Sequence, residues 1–362
     1  MNLAGEFERY ADWAANVSTL YERLARDIAD DRALLDVAGE ARYGQPAPQL
    51  LLGAVHFLLL GSDRGGDQDG CGNGECIEHP LADFYPTCSD DSSEPPDGDP
   101  FACFRAFCLA NERTIREIVA TRRVQTNEVG RSAVLLPAFE YVTRATDDSP
   151  LALVEIGASA GLNLYWDRYR YEYEGDGIYG DRDSPMRIES AIRGERDPPL
   201  PASLPNVASR VGIDLNPLDA TDPDDARWLR ALVIPDQHER HERLASAIDV
   251  LRGNPPDIVA GNALDVLPDV LDGLPEHATP CVYSTLTLYQ LDEDDVLELQ
   301  ELLAESSDRG PIHWLSTDPF ADRDRPVCQH VIFENGTTEE TRLTEHEAYG
   351  KWLRWIDEGS NE

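Results

Sequence analysis

The chain has 362 residues with 69 acids against 31 Lys+Arg, a formal charge of −38, and Lys351 is its single lysine. The acids run through every region, which reads as a halophilic surface kept hydrated in concentrated salt and not as one acidic docking face; at 1 M salt, exposed charges are screened beyond ~3 Å. Hydrophobic residues at 41% suffice for packed cores, no Arg/Lys block suggests nucleic acid, and the longest apolar run, Leu50 to Leu60, falls short of the ~20 residues of a spanning helix.

The start MNLAGEFERY has no basic segment leading into an apolar stretch, so a soluble, cytoplasmic protein without signal peptide is expected. Seven cysteines in so long a chain argue against a disulfide scaffold. Residues 1–60 read as helical: Phe7, Tyr10, Ala11, Ala14, Val17, then Leu20, Tyr21, Leu24 and Ile28 recur at three- and four-residue spacing, with Ser18 as an N-cap. Gln45 to Pro48 breaks the pattern before an apolar helix that contains His56, expected as a satisfied core histidine. Residues 61–100 hold 11 acids and one arginine among many Gly, Pro and Ser, which predicts an acidic loop insertion around the island His79–Pro86. Helical periodicity returns over Phe101–Arg122 and Glu128–Thr143, the second kinked or begun near Pro137. These residues, 1–148, are expected to form an all-helical N-terminal domain.

From Leu151 the pattern changes. Leu151–Ile156 is a short continuous apolar run, the mark of a strand buried on both faces. It enters Gly157-Ala-Ser159-Ala-Gly161 and a helix-like stretch from Leu162. Tyr169, Tyr171 and Tyr173 alternate as in a strand. Further strands are expected at Val211–Asp214, Ile258–Ala260, Cys281–Leu288 and Ile312–Ser316, with helices near 222–233, 236–252 and 292–304 between them. That alternation predicts a mainly parallel α/β sheet over 149–362, closed by a hairpin around Asn335-Gly336.

The turn Glu155-Ile-Gly157-Ala-Ser159-Ala-Gly161 fits two chemistries. A dinucleotide fingerprint fails, because its second and third glycines fall on Ser159 and Leu162. A hydrolase nucleophile elbow, G-x-S-x-G, matches at every position, with Ser159 as nucleophile, Asp265 or Asp318 as acid and His330 or His346 as base; no strands or oxyanion loop precede it, however. The turn also resembles the acid-x-G-x-G-x-G pocket of the Rossmann-like S-adenosylmethionine-dependent methyltransferases, with Ser159 in place of the middle glycine. Arg210-Val-Gly-Ile-Asp214-Leu-Asn216, Ala260-Gly-Asn262-Ala-Leu-Asp265 and Thr285–Leu291 resemble the second, third and fourth elements of that fold in order. The long interval from Gly157 to Asp214 implies an insertion, with a hairpin, over about 167–205.

Longer stretches resemble one family. Arg122-Arg-Val-Gln-Thr-Asn-Glu-Val-Gly-Arg131, Leu153 to Tyr169, and Arg210 to Asp219, with Gln45-Pro, His79-Pro-Leu and His313-Trp314, identify the chain as a member of domain of unknown function 2332. The resemblance implies a methyltransferase-like fold and a pocket for S-adenosylmethionine. Glu155, Gly157, Ser159 and Gly161 would hold the methionine end, Asp214 the ribose and Asp265 the adenine edge, with Asn163 and Asn216 also cofactor-binding. Glu128 and Arg131, in the polar run from Gln125, are the catalytic candidates. A small-molecule substrate is expected, without membrane or nucleic acid, and a non-catalytic binding protein remains an alternative. Among the other polar residues, Asn163 and Asp167 are spaced to share a helix face. Cys71, Cys76, His79 and Cys88 lack the C-x2-C spacing of zinc knuckles. His238 and His241 are expected on a helix surface beside Glu239 and Glu242.

Overall fold

The computed structural model describes residues 2–61, 77–89, 96–175, 177–318 and 325–359. They form two compact units: Met1–Thr126 with Asp222–Ala245, and Asn127–Thr221 with Ser246–Glu362. The sequence expectation put its change at 148/149.

The first unit begins with α1 (Leu3–Ala14), α2 (Thr19–Ala29), α3 (Arg32–Ala38) and α4 (Ala47–Leu59). Each start has a local cause. Asn2, Ser18 and Asp31 accept backbone N–H bonds from the first turns of α1, α2 and α3, and Pro48 sits in the first turn of α4, where its missing N–H costs nothing. The expected helix over Phe101–Arg122 is two: α5 (Pro100–Ala110) and α6 (Glu112–Thr121), parted at Asn111. Phe7, Leu24, Ile28, Leu51, Val55 and Phe104 are fully buried, each contributing about 1.5–3 kcal/mol before entropy.

In the second unit the expected helix over Glu128–Thr143 starts later. A 3-10 turn, Val129–Arg131, precedes α7 (Ser132–Ala145), which carries Pro137 in its interior. Eleven strands then join one sheet. They are β1 (Leu151–Ile156), β2 (Arg170–Glu174), β3 (Gly177–Gly180), β4 (Arg187–Ile192), β5 (Val207–Asp214), β6 (Asp257–Ala260), β7 (Thr279–Ser284), β8 (Ile312–Ser316), β9 (Val327–Glu334), β10 (Thr337–His346) and β11 (Trp352–Gly359). Their order is β3-β2-β4-β11-β10-β9-β8-β7-β1-β5-β6. The run β8-β7-β1-β5-β6 is parallel throughout. The expected tyrosine strand is β2, and β2–β4 extend this same sheet through β4 and β11. Asn335 and Gly336, both at left-handed φ (51° and 77°), make the two-residue turn between β9 and β10.

After β5 come α8 (Pro223–Leu232) and α9 (His238–Arg252); α8, and α9 as far as Ala245, belong to the first unit. There His56 is the satisfied core histidine expected: Nδ1 meets Ala231 O at 3.0 Å and Nε2 meets Thr87 Oγ1 at 2.8 Å. His241, expected on the surface, is half-buried. It bonds Ile234 O and packs edge-on to His56, and burial lowers its pKa to about 4.

The parallel core of the second unit also carries α10 (Ala263–Asp272) and α11 (Glu293–Ser306). Leu267 of α10 and Leu299 and Leu303 of α11 pack with Val154, Ile156, Ile213, Val282 and Trp314 in one cluster. Side chains alternate across a strand, so Glu155 and Tyr283 face the other side, where Phe139 of α7 lies 5.3 Å from the Tyr283 ring. Both faces of the central strands are thus covered. Among the described residues no helix is long and apolar enough to cross a membrane.

Candidate functional site

Chain order reverses at β1: β5 and β6 lie on one side, β7 and β8 on the other. Ligands of open α/β sheets bind at such a reversal, outside the carboxyl ends of the strands. At this edge β1 ends because Gly157 adopts φ 76°, and Ser159 and Gly161 follow at 55° and 74°. A Cβ on Gly157 would drive into the Thr287 side chain, and one on Gly161 would come within 2.6 Å of Pro256. The space that Gly157 frees is therefore filled by the loop after β7.

The turn is pinned from the neighbouring strand. Asp214, the last residue of β5, accepts the Ser159 N–H at 2.7 Å through one carboxylate oxygen and the Asn216 N–H at 2.8 Å through the other. Asn127 accepts the Leu162 N–H at 2.9 Å, and Ser132 Oγ donates to Asn163 Oδ1. The stretch after Gly161 is a 3-10 helix, Leu162–Arg168, broken at Tyr165, and not an α-helix. No helix dipole of useful length therefore points at the turn. Asn163 and Asp167 do not share a solvated face either: Asn163 is fully buried, and Asp167 forms an ion pair with Arg210 at 2.8 Å.

Glu155 lies fully buried beneath this turn, with Tyr283 Oη donating to Oε2 at 3.3 Å. Burial pushes its pKa up to about 8, against the pull of Asn163, Tyr283 and Arg131, so the carboxyl is largely neutral at pH 7. Ser159 Oγ is buried without a hydrogen-bond partner, and Glu155 Oε1 and Asn163 Nδ2 make no hydrogen bond of normal geometry, although Asn163 still acts on the Glu155 carboxyl. Buried polar atoms usually pair, so these three mark the turn as a polar spot within the core.

Arg131 reaches the same edge. It is 8% exposed and donates to Thr285 O at 2.9 Å and Ala348 O at 3.1 Å. Its position follows from two glycines: an added Cβ on Gly130 would strike Tyr349 O, and one on Gly350 would strike Gly130 O. Glu128 caps the 3-10 turn by accepting the Gly130 N–H. Asp318, after β8, accepts the Tyr289 N–H at 3.3 Å, and burial raises its pKa to about 6. Periodicity gave Asp318 no signal beyond its place after a strand.

The remaining candidates sit apart from this cluster. Asp265 is exposed in the first turn of α10, whose N-cap is Asn262, accepting the Leu264 N–H. For the elbow reading, Ser159 Oγ meets no base; His330 Nε2 contacts His313 Nδ1 at 2.9 Å, and His346 Nδ1 contacts Glu347 O. Cys71 and Cys76 lie outside the described residues, Cys88 is disulfide-bonded, and His79 Nδ1 accepts the Leu81 N–H.

The fold and this edge define an α/β protein with a large, mostly parallel central sheet and polar groups gathered where its strand order reverses. The chain belongs to the family described as uncharacterized protein conserved in bacteria (DUF2332), which matches residues 4–355. No curated protein and no solved structure matches it.

Proposed function

We propose that the edge at β1 binds S-adenosylmethionine and that the protein is a Rossmann-like methyltransferase acting on a small molecule. The observation that carries this reading is the coupling of the glycine turn after β1 to Asp214 at the end of β5, at the reversal of strand order. A carboxylate in that position suits a ribose diol, whose hydroxyls donate to carboxylate oxygens. The buried polar atoms of Glu155, Ser159 and Asn163 suit the polar methionine end. Asp265, on the neighbouring strand connection, takes the adenine side. Thr287 packs directly against Gly157. Glu128 and Arg131 act as positioning residues, because one caps the turn and the other ties two loop carbonyls together. When bound, S-adenosylmethionine supplies an electrophilic methyl group; the chain supplies alignment and a polar, enclosed setting.

Calorimetry at molar KCl tests the reading. Wild-type protein is expected to bind S-adenosylmethionine, and Asp214→Asn to bind it at least ten-fold more weakly while remaining folded. Absence of binding to folded wild-type protein overturns it. One observation favours a second reading: Ser159 holds a left-handed backbone within G-x-S-x-G. Covalent labelling of Ser159 by a fluorophosphonate would establish the serine hydrolase instead. Silence in both assays leaves a non-catalytic binding protein.

A further inference from the structure

The carboxyl edge of the sheet continues past the glycine turn. β10 is antiparallel to β9, which is antiparallel to β8, so β10 runs parallel to β8 and β7. The ends of β7, β8 and β10 therefore lie on one edge, bringing there Ser284, then Thr317 and Asp318, and finally His346. Backbone bonds connect them: Thr317 N–H to Ser284 O, Val327 N–H to Asp318 O and His346 N–H to Pro326 O. Arg131, tied to the loops after β7 and β10, lowers the pKa of both Asp318 and His346 electrostatically.

His346 is fully buried, and its Nδ1 lies 3.1 Å from Glu347 O. A carbonyl oxygen only accepts, so Nδ1 carries the hydrogen and Nε2 of the neutral ring is an acceptor. Burial and the Arg131 charge hold the ring neutral, with a pKa of about 4. Nε2 has no partner, and neither does the buried Thr317 Oγ1. The other buried histidines differ: His56 satisfies both nitrogens, and His313 and His330 bond each other. His346 Nε2 is thus a buried, oriented acceptor on the edge where the sheet gathers its polar groups.

We propose that the edge formed by Thr317, Asp318 and His346 is a second ligand position, taking a neutral hydroxyl-bearing small molecule whose O–H donates to His346 Nε2. A hydroxyl suits the position because the Nε2 of a neutral ring needs one donated hydrogen and the hydroxyl oxygen can in turn accept from Thr317. The position rests on the β7–β10 edge and not on what the glycine turn binds, so it stands or falls separately from S-adenosylmethionine binding.

The test uses full-length protein with 15N-labelled histidine at pH 7.5 in molar KCl. In the free protein the His346 ring is expected as the Nδ1–H tautomer, with Nε2 at the shift of a bare lone pair. Phenol, benzyl alcohol and ethylene glycol, each titrated beside its methyl ether, are the probes. At least one hydroxyl compound is expected to move the Nε2 resonance upfield as it donates, while its ether does not. His346→Leu is expected to weaken that binding about five- to ten-fold, and Thr317→Val less, with S-adenosylmethionine affinity unchanged. A protonated Nε2 in the free protein, or an Nε2 resonance indifferent to every hydroxyl probe, overturns the proposal; this readout needs no variant to fold.

Discussion

Replacing Glu155 by Gln tests whether the buried carboxyl is neutral. In the folded chain its pKa stands at about 8 against 4.5 for the free side chain, because the group is wholly removed from water. Between those values the folded state holds a proton that the unfolded state has released. Stability from this site is therefore complete below pH 4.5 and lost as pH rises through 8. One proton of difference is worth about 1.4 kcal/mol per pH unit, or about 5 kcal/mol across the full interval. Glutamine keeps the size and an oxygen for the Tyr283 hydroxyl, and it cannot ionise. Urea unfolding in molar KCl from pH 5.5 to 7.5 should show the wild type losing up to about 3 kcal/mol more than Glu155→Gln. Asp318 and the buried histidines titrate in both proteins, so they cancel in the difference. Salt does not mask the effect, because a buried group is little screened. Parallel pH profiles for the two proteins would refute the argument that burial dominates at Glu155.

The other predictions concern how the site is held. Gly350→Ala should destabilise the fold by about 2–4 kcal/mol in the same unfolding assay, combining overpacking against Gly130 O with a residue at φ 75°; Gly44→Ala, at φ 81° but with open space beside it, should cost only about 1 kcal/mol. Arg131→Lys should cost about 1–3 kcal/mol, since a lysine does not reproduce the paired donation to Thr285 O and Ala348 O, and hydrogen exchange should rise at both loops. Tyr173→Phe, which leaves Ala133 O without its hydroxyl partner, should lose about 1 kcal/mol without altering S-adenosylmethionine affinity. Ser18→Ala should lose about 1 kcal/mol with the α2 cap, and more where Asp236 is left without its partner.

Much of the fold was legible because the relevant signals are local. Leu151–Ile156 reads as a doubly buried strand from its unbroken apolar run, and Asn335-Gly336 reads as a hairpin because both residues tolerate positive φ. Ser18 announces its helix by side-chain chemistry alone. The errors came where a short-range pattern met a competing long-range one. Leu162–Arg168 carries helical residues, yet Asn127 takes the Leu162 N–H and Tyr165 turns toward Asn254, so the stretch stays a kinked 3-10 turn. His241 looks like surface among Glu239 and Glu242, but packing against His56 half-buries it.

The sequence by itself determined that Glu155, Gly157 and Asp214 lie at the ends of strands, because strand periodicity and glycine placement are properties of neighbouring residues. Only the tertiary structure decided that Asp214 clamps the Ser159 amide, that burial raises the pKa of Glu155, and that Gly130 and Gly350 meet to seat Arg131. Those facts depend on residues 55 to 220 positions apart approaching within a few ångström, as Ser159 and Asp214 do at 2.7 Å across 55 positions and Gly130 and Gly350 do backbone to backbone. No local pattern encodes such a meeting. It is fixed by which strands pair and which loops the sheet's edge brings together.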